Sequence, residues 1–184
     1  MEQFLESDRS DVHTPLFQQV LMPMLVAGVL EGRPRYARWL ADLAKAVSGW
    51  HRALDDDGQL LEELRSPCAL FRLALKHDPN DVQARRGLIR SMLEGINYSL
   101  HEVPSGVLYS GGATMAECDL MLEELQELAK LLELEGIKEQ YEPLLVYAEF
   151  HYRAYKDYLG RPHPKCYAEL LAAETWGRPP EAPK

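Results

Sequence analysis

The first residues to test for chemistry are the six histidines, His13, His51, His77, His101, His151 and His163. Helical metal sites place two histidines four apart on one face, as in HxxxH or HExxH. No pair here has that spacing, and the expectation is a chain with no metal and no cofactor. Glu149 and His151 stand close enough in sequence to suggest acid–base work. Two residues apart on a helix, however, they point roughly 200° apart and cannot share a ligand there. His151 falls instead in an apolar stripe with Leu144, Ala148, Tyr155 and Leu159. That placement predicts a core histidine hydrogen-bonded to a tyrosine, because buried polar groups find partners.

Nucleophilic and anion-binding motifs are equally sparse. No GxSxG elbow occurs, and no serine or cysteine has a context that marks it as activated. Cys68, Cys118 and Cys166 lie too far apart for a CxxC pair or a zinc knuckle. "SGGAT" ahead of a helix could cradle an anion at the helix start, but it lacks the Gly-Lys-Ser/Thr ending of a phosphate loop. "DDDG" at Asp55 to Gly58 lacks the remaining ligands of a calcium loop and reads as a helix cap. No catalytic residue is assigned, and a non-enzymatic chain is expected. The alternative is an α-helical enzyme or small-ligand binder with its site under the glycine-rich 100–113 loop, around His101, Tyr109, Ser110, Gly111 and Gly112.

The elements that would position these residues are helical. Tyr36, Leu40, Leu43, Val47, Trp50 and Leu54 recur at steps of three and four, as do Cys118, Met121, Leu122, Leu125, Leu128, Ala129 and Leu132. Ser66 before Pro67, Asn80 with Gln83, and Thr114 with Glu117 read as helix starts, while Gly32, Gly136 and Gly160 read as stops. The spacing predicts helices at 15–31, 35–54, 58–77 (bent or broken at Pro67), 80–99, 114–135, 141–159 and 165–175. No segment alternates with period two. The fold class is therefore all-α, an irregular array or bundle of six to seven antiparallel helices in a single domain over 1–176. Residues 1–12 and the proline-rich 177–184 have little to bury and are expected to be disordered.

Between residues 71 and 88, "FRLALKHDPNDVQARRGL" resembles the hinge of a tetratricopeptide repeat. Phe71, Ala74 and Pro79 fall at that family's second-helix spacing, and Asn80, Asp81 and Ala84 look like the start of a following repeat. The resemblance spans about twenty residues with no sustained period, so it implies one repeat-like hairpin within the array. A peptide-binding role is what the family likeness implies.

Charge narrows the partner. The formal net charge is −9. Nine carboxylates between Glu117 and Glu142 face only Lys130 and Lys138, a local −7, while Arg72 to Arg90 carries a local +3. This excludes nucleic acid as the main partner and favours a basic protein. On the acidic helix, Leu120, Leu131 and Leu134 lie opposite the main apolar stripe, interleaved with Glu124 and Glu127, a patch suited to such a partner. A homodimer is left open. The acidic start and the short run Leu16 to Leu30, interrupted by Gln18, Gln19 and Pro23, argue against a secretory signal or a membrane span. An odd cysteine count suits a reducing compartment, and the expectation is a cytoplasmic protein. By analogy of size and acidity, the role is that of a bacterial immunity protein, adaptor or chaperone.

Overall fold

A computed structural model describes residues 16–33, 35–46, 66–103, 107–109, 112–162 and 166–172. These residues form α1 (Met22–Leu30), α2 (Tyr36–Ala46), α3 (Pro67–His77), α4 (Val82–Leu100), α5 (Met115–Leu134), α6 (Lys138–Gly160) and α7 (Tyr167–Ala172). The fold is all-α, with no strand among the described residues. Val47, Trp50, Leu54, the "DDDG" turn, Ser110, Gly111 and both chain ends lie outside them.

The helix boundaries follow from caps. Ser66 Oγ accepts from Ala69 N at 3.1 Å, and α3 begins at Pro67, so the expected bend there is a helix start. Thr114 and Glu117 form the reciprocal capping box ahead of α5, with Thr114 N donating to Glu117 Oε2 at 2.7 Å. Those bonds hold the Glu117 carboxyl below its usual range. Gly32 and Gly136, at φ 68 and 70, close α1 and α5 in Schellman turns, with Arg33 N–H donating to Gly28 O and Ile137 N–H to Leu132 O.

Four expectations shift. Asp81, not Asn80, caps α4, its Oδ1 accepting from Ala84 N at 3.0 Å, while Asn80 N–H turns back to Asp78. α6 starts at Lys138 rather than 141, because the Schellman turn at Gly136 redirects the chain at once; Pro143 then sits inside the helix. Gly160 lies in the last turn of α6, with Arg161 as the cap. Ahead of α1, Phe17–Leu21 winds as a π-helix just before Pro23, which has no N–H to continue the α-helical ladder.

The chain divides into two compact units, Met1–Ser91 and Met92–Lys184. In the first, α1, α2, α3 and the start of α4 bury Leu25, Trp39, Leu40, Leu43, Leu70, Phe71 and Leu88 to 2% exposure or less. Side chains of this size contribute about 1.5–3 kcal/mol each when fully buried. In the second, α5 and α6 run antiparallel, tied by Lys156 to Asp119 at one end and Lys138 to Glu133 at the other. Cys118, Leu125, Leu128 and Leu132 of α5 are buried, as are Ala148, Tyr152 and Tyr155 of α6 and Tyr167 of α7.

Candidate functional site

His151 is 2% exposed and its Nδ1 lies 2.8 Å from the Tyr167 hydroxyl. Tyr147 and Phe150 present their rings to it at 4.4 and 5.2 Å, and Nε2 has no hydrogen-bond partner among the described residues. Loss of water disfavours the charged ring and lowers its pKa to about 4. Burial also raises Tyr167, and it raises the Tyr152 phenol, bonded to Ser99 Oγ at 2.7 Å, to about 12. Neutral and shielded, His151 joins α6 to α7 through its bond to Tyr167, while Tyr152 ties α6 to the end of α4 through Ser99. Glu149 instead pairs with Arg153 on the exposed side of α6 at 2.8 Å.

This arrangement has a pH consequence. The unfolded chain binds a proton at His151 near its ordinary value of 6.5, whereas the folded one resists until about 4. The stabilisation is complete above pH 6.5 and is lost as pH falls through this window, by up to about 1.4 kcal/mol per pH unit. Urea unfolding of His151→Phe, compared with the native chain from pH 7 to 4.5, should show a flatter pH dependence. Parallel curves would mean that His151 titrates alike in both states.

Among the described residues no three His, Cys, Asp or Glu side chains converge on a metal position. Cys118 is buried, its thiol raised to about 11 by burial and the neighbouring carboxylates Asp119 and Glu117, which makes it a poor nucleophile. Two open grooves run along the α5–α6 hairpin, about 200 Å³ beside Leu122, Gln126 and Val146, and about 490 Å³ beside Met115, Asp119 and Arg153. Neither is lined by a residue of the 100–113 segment.

The predicted surface on α5 is one stripe. Leu120 and Leu134 are 60% and 71% exposed; Glu124 is exposed, while Glu127 and Leu131 are half-buried. At successive steps of four and three, these five residues share an arc of roughly 80° of the helix circumference. Of the loop residues, His101 and Tyr109 are exposed and Gly112 is half-buried at φ 94. Tyr98 and Glu102, which the sequence did not mark as site residues, both contact His101. Tyr98 is 50% exposed, stacks on His101 at 5.5 Å and meets Tyr109 edge to face at 5.5 Å. Its three-residue spacing from His101 on a helix was the available signal.

Comparison of the chain with protein-family models, with curated proteins and with solved structures finds no match. No helix among the described residues is long and apolar enough to cross a membrane. Among the described residues the fold is all-α, and several large apolar and aromatic side chains stand exposed at its surface.

Proposed function

We propose that this chain is a non-enzymatic, cytoplasmic protein that binds a basic protein partner through the exposed α5 stripe. The role is of the kind filled by toxin-neutralising immunity proteins in bacteria, or by adaptors and chaperones. The observation that carries the reading is the exposure of Leu120 and Leu134 on the helix where the chain concentrates its negative charge. Carboxylates on such a face accelerate approach of a cationic partner, and the leucines hold it once water is expelled. The buried, neutral His151 and the unreactive Cys118 support a binding role over a catalytic one.

The test begins with capture of the partner from native cells by the wild-type chain, with Glu124→Lys/Glu127→Lys as the comparison. Surface plasmon resonance at two ionic strengths then separates the contributions. The charge reversal should slow association about tenfold and flatten its salt dependence, since charges act over a Debye length of roughly 8–10 Å. Leu120→Ser/Leu134→Ser should leave association nearly intact and speed dissociation at least about tenfold, in line with the loss of buried apolar area. Thermal melts of both variants report any cost to folding. Wild-type rates in both would remove this face from the interface.

A further inference from the structure

Where α4 ends, Tyr98, His101, Glu102 and Tyr109 form a small exposed platform within the second unit. Tyr98 and His101 are set by helix spacing. Tyr109 reaches its place differently, through a backbone at φ 65 that bulky residues rarely adopt. The chain enforces that conformation from both sides. Tyr109 N–H donates to Ser99 O at 2.9 Å, Gly112 N–H to Tyr109 O at 3.1 Å and Ala113 N–H to Leu108 O at 2.8 Å, while Leu108 itself is completely buried. A glycine or asparagine would suit this position better, and the tyrosine ring that occupies it remains 39% exposed. Strain maintained to display a side chain in solvent is the pattern of a binding site.

We infer that this platform receives the guanidinium group of an arginine side chain on a basic protein. The inference rests on the proposed binding of such a partner and adds the side chain that is recognised. Two observations select the guanidinium. Glu102, with a side chain 42% exposed, places its carboxylate beside the rings, Oε1 lying 2.8 Å from His101 Nε2. A planar cation can therefore lie on a tyrosine face and direct its N–H fork at a carboxylate, which an ammonium does less well. The chain also makes this combination internally. Arg33 lies 5.7 Å over the Tyr36 ring and 2.6 Å from Glu31. His101 adds a further precedent, a planar nitrogen ring stacked on Tyr98 with Nδ1 2.8 Å from Tyr98 O.

Ser99, next to Tyr98 in the chain, bonds the Tyr152 hydroxyl, and Tyr152 lies close enough to Glu124 of α5 to feel its charge.

The test uses the full chain and two small probes, N-acetylarginine amide and its neutral isostere N-acetylcitrulline amide, followed by NMR of the tyrosine rings. Arginine should shift Tyr98 and Tyr109 saturably, and citrulline several-fold more weakly. Tyr109→Asn removes the ring while suiting the positive φ. It should weaken arginine binding about two- to fivefold, as expected for an exposed cation–π contact, with a melting temperature equal to or above that of the native chain. Glu102→Gln should weaken arginine in the same range and leave citrulline unchanged. Equal shifts with both probes, no saturable shift, or arginine binding unaltered by Tyr109→Asn would each overturn the inference. So would ring shifts that depend on protein concentration without any probe, since a second copy would then cover the platform. Glu124→Lys/Glu127→Lys should still bind the arginine probe, so failure of the α5 reading and failure of this one are told apart.

Discussion

Replacing Arg38 with methionine should destabilise the first unit by about 3–5 kcal/mol, the usual cost of removing one partner from a buried ion pair. Arg38 Nε lies 3.2 Å from Asp81 Oδ2, and the two side chains are only 6% and 12% exposed. The Nε–H is off line for a hydrogen bond, so charge carries much of this contact. Asp81 cannot relax into water when its partner goes, because it is also the cap of α4, bonded to Ala84 N. Asp81→Asn is expected to cost less, since asparagine caps almost as well as aspartate. The double variant should recover part of the loss, because no unpaired charge then stays buried. Urea unfolding followed by circular dichroism measures all three. A loss under about 1 kcal/mol in Arg38→Met would show that the pair is solvated in practice.

Gly87 and Gly95 lie on the same helix, yet alanine should act in opposite directions at the two. A Cβ on Gly87 would stand 2.4 Å from two atoms of the Phe71 ring, and Phe71 is completely buried, so the ring has little room to move. The gain in helix propensity, about 1 kcal/mol, is outweighed by the overpacking. Gly87→Ala should destabilise by about 1–3 kcal/mol, and Gly87→Leu by more. Gly95 has nothing within 4 Å of an added Cβ, so Gly95→Ala should stabilise by about 0.5–1 kcal/mol. Phe71→Leu combined with Gly87→Ala tests the cause, since the smaller side chain should recover part of the loss. Equal melting temperatures for the two alanine variants would show that α3 and α4 do not approach at Phe71.

That Leu120, Glu124 and Leu134 share one exposed side of α5 was legible from sequence, because a stripe repeated every three or four residues is a property of one helix. The aromatic platform was legible only in part. His101 and Tyr109 stood out as loop residues, but the contact of Tyr98 with Tyr109 depends on the chain returning to α4, and nothing in the sequence specified the positive φ that makes it do so. Lys156 is a similar case. It reaches from α6 across to Asp119 on α5, a partner that no local spacing indicates.

The amino-acid sequence by itself determined the helical class, most helix positions and the caps at Ser66 and Thr114. Those features rest on interactions between residues three or four apart, which any stretch of chain carries with it. It also determined that the acidic charge gathers on α5. Only the tertiary structure decided that Asp81, the cap of α4, also pairs with Arg38, that Tyr167 is the tyrosine bonded to His151, and that Gly87 makes room for Phe71. Each of these joins residues far apart in the chain, and local propensity holds no record of a partner that only packing brings near.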